Sequence, residues 1–506
     1  MLSAFVLAIS ALAALLQVPT AFAQVPHDDL WTAEALQKIR DQNTLNLRVV
    51  PGLGYFEIFY DSEINSAKWF GDSGPPDYIH TAPTTAGTIR VHGYLANPVF
   101  GGPFPALVIG HGHGSRGSPE AAMALAALGY VGFSIDGPGQ GQSTGPPDTE
   151  QRWIDVEPSA DFSYLYHYAY AAMRALTALE RLSTIFLNPF RIDRSKLGVI
   201  GVSMGGTLAY HVNGIDDRVK AAVAVASAGD WHPLLYYPGS WLYHGLYYYT
   251  RNGLRTGTDA FNAVSNLCTD NTLFNFLEHF DPLQYAPRQH GPLLTIIGTH
   301  DQYFTVPAIN TTYNQTASAG TNSRFAARIQ LVPNGEHGVI NEDDSLFTLL
   351  SVLQNINQWL LYSFRNGPAP MQTPTVTMTV SGDAMSFTVG VSDGSAPTVK
   401  LWIASQIDTT PAQPKDFGYI QLNPAGGNLF VGSIPIGALP PSGPPLTSDN
   451  ILYFAQAQDA GFTVSSKMYY RTGEMARCSG FVPVLEHFPR DNFNVPPPPA
   501  FNCGCP

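Results

Sequence analysis

Gly201-Val202-Ser203-Met204-Gly205 sets a serine between glycines two residues before and two after it. Apolar Leu197, Val199 and Ile200 predict a buried strand leading into this run, and Gly206 to Asn213 predict a helix opening from it. A strand, a sharp turn and a helix hold a serine hydroxyl above a sheet edge in a strained backbone that only uncrowded neighbours permit. The helix N-terminus beside it favours developing negative charge. In a chain with 47 glycines the pentapeptide alone can arise by chance, so the flanking elements and the partners below carry the inference.

A serine hydroxyl is a weak nucleophile near neutral pH and needs a base within hydrogen-bond reach and an acid to orient that base. The run Leu293–Gly298 reads as a strand that ends in Gly298-Thr299-His300-Asp301. Asp301 then lies just past a parallel strand, on the sheet edge where such folds gather their sites. A further strand ends at Val332, followed by Pro333-Asn334-Gly335-Glu336-His337-Gly338, which puts His337 on a loop at the same edge. Asp230 and Asp281 compete for the acid role, but neither follows a sheet strand so directly. His290 and His300 compete for the base, but they precede or adjoin Asp301. The oxyanion of a tetrahedral intermediate needs preorganised N–H donors. One is the backbone N–H of Met204. The second comes from His111-Gly112-His113-Gly114, after the strand Ala106–Gly110, with His113 favoured and Gly112 and Gly114 as alternatives. Asp136-Gly137-Pro138-Gly139-Gln140-Gly141 lacks the helix-opening context of a phosphate loop and reads as a structural turn.

The elements that must position these residues alternate. Strands are expected at 55–60, 88–95, 106–110, 130–136, 197–200, 219–225, 293–298 and 327–332, and helices at 31–41, 120–128, 161–183 and 345–364. Near-continuous apolar strands separated by helices indicate a parallel sheet covered on both faces. Residues 230–290 interrupt this pattern with an aromatic insertion that includes Trp231, Tyr236, Tyr237, Trp241, Tyr243, Tyr247, Tyr248, Tyr249, Phe274, Phe276 and Phe280. It reads equally as a cap over Ser203 and as a helical subdomain with its own core. The expected organisation is a catalytic domain over 24–364, a linker over 365–374, a small all-β sandwich over 375–471 from its period-two patterns, and a Cys/Pro-containing tail over 472–506.

Asp136–Ser143 (D-G-P-G-Q-G-Q-S), Arg191–Gly206 (R-I-D-R-S-K-L-G-V-I-G-V-S-M-G-G) and Asp216–Ala224 (D-D-R-V-K-A-A-V-A) resemble prolyl-oligopeptidase-type and acetyl-xylan-esterase-type domains of the α/β-hydrolase superfamily. D-P-L-Q-Y, L-L-T-I-I-G-T-H-D-Q-Y-F and L-V-P-N-G-E-H-G, with V-K-L-W-I-A-S and K-D-F further on, are also similar to PhoPQ-activated pathogenicity-related proteins. The superfamily resemblance covers roughly residues 88–364. It implies a doubly wound, mostly parallel α/β-hydrolase sheet and the chain order nucleophile, acid, base for Ser203, Asp301 and His337. It also implies an HG-type oxyanion loop at His111–Gly114. No N-terminal β-propeller, the domain that filters peptides in oligopeptidases, is visible in the sequence.

Composition narrows the partners. The chain of 506 residues is 44% apolar and 13% charged, with net charge −13 and no Lys/Arg cluster, which argues against nucleic acid and anionic membranes. Met1–Ala23 is uncharged in its side chains, apolar over most of residues 4–16, and closes on Ala21-Phe22-Ala23, the pattern of a secretory signal peptide. No later window is apolar enough for a membrane span. Four cysteines, Cys268, Cys478, Cys503 and Cys505, fit an oxidising compartment and allow three pairings, with Cys478 to Cys503 or Cys505 favoured over the strained Cys503–Cys505 bridge. Asn310-Thr311-Thr312 and Asn314-Gln315-Thr316 are glycosylation sequons in a eukaryotic host. Cysteine and histidine spacings suggest no metal site, and the chemistry needs neither metal nor organic cofactor. The reading is a secreted serine hydrolase acting on a small-molecule or polymeric carboxylic ester. A prolyl-oligopeptidase-like peptidase and a non-catalytic signalling protein on the same fold are the alternatives. Oligomeric state is left open.

Overall fold

The structure, a computed structural model, describes residues 29–475 apart from 67–86, 149, 154–155, 157–158, 233, 235–270, 302, 305, 319–325, 340–344, 393–396, 406–415 and 460. The Met1–Ala23 leader, all four cysteines, most of the tail and the insertion aromatics Tyr236 to Tyr249 lie outside the described residues.

The main sheet has nine strands: β1 (Arg48–Pro51), β2 (Phe56–Asp61), β3 (Arg90–Ala96), β4 (Phe104–Gly110), β5 (Val131–Ile135), β6 (Ile192–Val202), β7 (Val219–Val225), β8 (Leu293–Gly298) and β9 (Ala327–Val332). Their order is β1-β2-β3-β5-β4-β6-β7-β8-β9. The pairings from β5 through β9 are parallel, and those joining β1, β2, β3 and β5 are antiparallel. This is the doubly wound, mostly parallel α/β-hydrolase sheet. β4, β5 and β8 are largely apolar and buried along their length, as strands covered on both faces are. In β8 every residue of Leu-Leu-Thr-Ile-Ile-Gly is buried, and each buried Leu or Ile contributes roughly 1.5–3 kcal/mol. β1 was not expected from the sequence, since Arg-Val-Val-Pro is too short to show a period.

The helices that matter for the site are α1 (Ala33–Arg40), α2 (Pro119–Ala127), α3 (Tyr164–Ser183), α4 (Met204–Ile215), α5 (Asn271–Phe280), α6 (Val306–Ser318) and α7 (Ser345–Arg365). Ser118 caps α2 by accepting the Ala121 N–H, with Pro119 in the first turn where its missing N–H costs nothing. α3 is buried nearly all round. Arg174 within it is fully buried and donates to the carbonyls of Lys38, Ile39, Asp41 and Asp61. Those bonds satisfy the open carbonyls at the end of α1 and tie the N-terminal segment to the core. Of the insertion aromatics, Trp231, Phe276 and Phe280 are buried in the main core. Phe274 lies on α5, but its side chain is outside the described residues.

Beyond α7, residues 366–374 form no helix or strand. They are nonetheless packed: Met371 is fully buried, its carbonyl accepts from Arg328 Nε, and Thr373 Oγ1 lies 2.5 Å from the Tyr313 hydroxyl. Two antiparallel sheets follow. One contains β10 (Thr375–Ser381), β11 (Ala384–Gly390), β14 (Asn423–Gly426) and β15 (Leu429–Pro435). The other contains β12 (Thr398–Ser405), β13 (Gly418–Gln421), β16 (Ile451–Asp459), β17 (Phe462–Ser465) and the short β18 (Tyr469–Tyr470) and β19 (Gly473–Glu474). β16 is buried on both faces. Ile451, Tyr453, Ala455 and Ala457 face the sandwich interior with Met385, Phe387 and Val389, while Leu452 and Phe454 join the cluster that holds Phe304 and Ile309 of the α/β unit. Asn310, the first residue of one sequon, is 2% exposed and holds the backbone of Met468 and Met475, so it offers no surface for a glycan. Asn314 is exposed.

Candidate active site

β6 runs into the serine turn, and α4 leaves from it. Ser203 has φ +59° and ψ −119°, a conformation that costs roughly 1–3 kcal/mol and persists only where its surroundings enforce it. They do. The Ser203 N–H donates to Val225 O at 2.9 Å, and Ser203 O accepts from Thr207 N at 3.0 Å. Gly205 packs so closely on β4 that a Cβ there would stand 2.2 Å from Gly110 O, and a Cβ at Gly201 would stand 2.2 Å from Gly205 O. Both glycines are therefore steric requirements of the elbow.

Ser203 Oγ lies 2.8 Å from His337 Nε2. His337 Nδ1 lies 2.9 Å from Asp301 Oδ2 and 3.1 Å from Oδ1. Asp301 is buried, and its Oδ1 also accepts the N–H groups of Tyr303 and Phe304 at 2.8 and 3.0 Å. A carboxylate held in this way accepts a hydrogen bond from Nδ1–H and keeps the proton on that nitrogen, so the Nε2 lone pair is presented to the serine hydroxyl. The Tyr303 ring covers the imidazole at 4.2 Å between centroids. On the described contacts the rival residues serve elsewhere. Asp281 accepts the backbone N–H groups of Asp230, Trp231 and Leu283, and burial pushes its carboxyl up to about 7. The His290 N–H donates to Asn213 O near the far end of α4, and the His300 ring turns toward Phe417.

The loop after β4 passes directly over Ser203: a Cβ at Gly112 would lie 3.3 Å from Ser203 Cβ and 3.8 Å from its Oγ. Two anchors fix this loop. On one side the His111 N–H donates to the Tyr168 hydroxyl at 2.7 Å. Gly137 N–H donates to His111 Nε2 at 2.8 Å, so the ring proton sits on Nδ1 and is given to Gly112 O at 2.8 Å. Burial lowers the pKa of that imidazole, in keeping with a neutral ring. On the other side the buried Asp148 carboxylate accepts Gly114 N–H and Trp153 Nε1–H, at 2.8 and 2.7 Å, and lies 2.8 Å from His113 Nδ1. The His113 amide lies between these anchors. Met204 opens α4, so its N–H has no intrahelical partner and points out of the helix N-terminus beside Ser203. Asp136 stiffens the neighbouring turn by accepting Gly117 N–H and Gln142 N–H, with His92 Nδ1 at 2.7 Å. Asp148, Tyr168 and Asn334 were not found from the sequence. Asp148 and Tyr168 lie in no quoted motif, Asn334 lies in the His337 run without a role of its own there, and only the folded chain brings their partners to the site.

A family model described as PhoPQ-activated pathogenicity-related protein matches residues 149–417, just over half of the chain. The chain belongs to this family. The match spans Ser203, Asp301 and His337 and ends at Phe417, whereas the His111–Gly114 loop precedes it. This PhoPQ-related chain is also similar to "Putative hydrolase YtaP" of Bacillus subtilis (strain 168), with 28% identity over 221 residues, 40% of this chain. The match spans 62% of the length of that relative. Similar solved structures include acetyl xylan esterase 1 from Thermoanaerobacterium sp. JW/SL YS485, at 18% identity and a TM-score of 0.44, covering 67% of this chain and 93% of that one. Another is Pyrococcus horikoshii acylaminoacyl peptidase, at 17% identity and a TM-score of 0.40, covering 54% of this chain and 40% of that one.

Proposed function

We propose that this member of the PhoPQ-related family is a serine hydrolase that cleaves carboxylic esters and is exported through the Met1–Ala23 leader. The observation that carries the reading is the continuous relay from Asp301 through His337 to Ser203, with separations of 2.9 and 2.8 Å. Ser203 Oγ attacks the acyl carbonyl while His337 Nε2 takes its proton. The oxyanion accepts hydrogen bonds from the N–H groups of Met204 and His113, in a site where each such donor is worth about 10²–10³ in rate. Collapse breaks the C–O bond, and the leaving alkoxide takes the proton from His337. Water, deprotonated by the same imidazole, then releases the acyl group and restores Ser203. Asp301 remains ionised throughout and stabilises the imidazolium.

The preference for esters over dipeptidyl amides rests on finding, among the described residues, no exposed acidic pair placed to grip a free amine. Asp230 and Asp281 are close in space but buried, with Asp281 committed to backbone N–H groups. The test is Ser203→Ala. Turnover of short p-nitrophenyl esters should drop by about 10⁴-fold or more with the circular dichroism spectrum unchanged. Retained turnover would remove Ser203 from the mechanism, and faster cleavage of dipeptidyl amides than of esters would reassign the substrate class.

A further inference from the structure

Three asparagines of the hydrolase unit hold the backbone of the β-unit in the same way. Each side-chain amide both donates to and accepts from the backbone of one β-unit residue. Asn310 on α6 donates to Met468 O at 2.8 Å and accepts Met468 N–H at 3.0 Å. Asn355 on α7 donates to Thr463 O at 2.9 Å and accepts Thr463 N–H at 3.2 Å. Asn334 donates to Phe417 O at 3.1 Å and accepts Phe417 N–H at 2.7 Å. Such a clasp replaces one step of a β-ladder with a side chain and leaves no buried polar atom of that amide unmatched.

Asn334 differs from the other two in its position. It lies three residues before His337, with φ +55°, a left-handed conformation that asparagine tolerates well. Its own N–H donates to Thr299 Oγ1 at 2.9 Å, and His300 N–H donates to Gly335 O at 2.9 Å, so the loops of Asp301 and His337 are sewn together at this point. Phe417 is 3% exposed, with its ring edge-on to His300 at 6.2 Å and against Phe454 at 5.5 Å. The strand leading into the loop is held from the same side. Leu331 N–H donates to Ser465 Oγ at 3.0 Å, and Leu331 O accepts from Gln456 Nε2 at 3.0 Å. β9 is the edge strand of the main sheet, and the β-unit covers it exactly where an unpaired edge would otherwise face water.

We propose that the C-terminal β-unit is a brace for the base loop, and that Asn334 is the positioning residue through which Phe417 sets the place of His337. The inference rests on the reading of His337 as general base. Loops that carry reacting groups are mobile unless tied down, and a displacement of about 1 Å costs about 10²-fold in rate. The brace therefore acts on the chemical step and not on substrate binding.

The experiment compares Asn334→Gly with Asn355→Ala in the full chain, using kcat and KM on a short p-nitrophenyl ester and the rate of labelling by a fluorophosphonate. Glycine accepts the φ of residue 334 and removes both clasp bonds, while Asn355→Ala removes the clasp on Thr463, and with it a bond to Gln330 Oε1 of β9, without touching residues 333–338. For Asn334→Gly, kcat and the labelling rate should fall about tenfold or more with KM within about twofold. Asn355→Ala should lower the melting temperature and leave kcat at the wild-type value below it. Should Asn334→Gly fail to fold, Asn334→Asp keeps the acceptor for Phe417 N–H, loses the donor, and should show a smaller fall in kcat. An unchanged kcat in whichever folded Asn334 variant is read, or equal losses at 334 and 355, overturns the brace alone. A wild type inert to both ester and probe overturns the reading of the site, and the brace with it.

Discussion

Asp301→Asn changes one atom of the carboxylate, and the surrounding hydrogen bonds dictate which atom that is. Oδ1 faces the N–H groups of Tyr303 and Phe304 at 2.8 and 3.0 Å, so the asparagine oxygen must remain there. The new NH2 group then occupies the position of Oδ2, 2.9 Å from His337 Nδ1. The NH2 group donates to Nδ1 instead of accepting from it, and the asparagine oxygen, 3.1 Å from Nδ1, is already taken by the two backbone N–H groups, so the imidazole shifts to the tautomer with its proton on Nε2. That nitrogen, 2.8 Å from Ser203 Oγ, can no longer take the serine proton. The expected loss in kcat is about 10⁴-fold, or about 5 kcal/mol of barrier at 1.36 kcal/mol per decade. Because the swap is nearly isosteric and keeps the two amide contacts, the melting temperature should move by only a few degrees. The assay is steady-state hydrolysis of a short p-nitrophenyl ester beside a thermal melt of the same preparation. A loss smaller than about tenfold in a folded variant would refute the tautomer argument and return Asp230 and Asp281 to consideration as the acid.

Two other predictions follow from buried carboxylates. Asp148→Ala removes the shared acceptor of Gly114 N–H, Trp153 Nε1–H and the His113 ring, which frees the oxyanion loop on one side; kcat should fall by about 10²-fold, with a smaller change in KM, and an unchanged kcat would separate Asp148 from the oxyanion loop. Asp281 is fully buried, and its carboxyl is pushed up to about 7 chiefly by desolvation. A carboxyl with a raised folded-state pKa binds its proton more tightly folded than unfolded, so its contribution is greatest below about pH 4 and is lost as pH rises toward 7. At 1.36 kcal/mol per pH unit, this group alone should cost the wild type on the order of 4 kcal/mol across that interval. In Asp281→Asn that part of the slope should be absent from urea unfolding measured at pH 4 through 8, and an unaltered slope would show that Asp281 ionises as it does in the unfolded chain.

The features that sequence could supply are those written in consecutive residues. Val199-Ile200-Gly201-Val202-Ser203-Met204-Gly205 carries strand, turn and helix start in one run, because burial, glycine spacing and helix initiation are local properties. The apolar strands 293–298 and 327–332 end where their composition changes, which put Asp301 and His337 on one sheet edge before any coordinates. Tertiary structure alone decided what holds these groups in place. Asp148 against Gly114, Tyr168 against His111, and Phe417 against Asn334 are contacts between residues 34, 57 and 83 positions apart. Their partners are backbone N–H and C=O groups, which every residue possesses, so no side-chain pattern announces them. The same holds for β16, whose second buried face exists only because the α/β unit lies against it. A sequence determines which groups can react and which strands can bury; the distances at which they meet are set by how the packed layers close on one another.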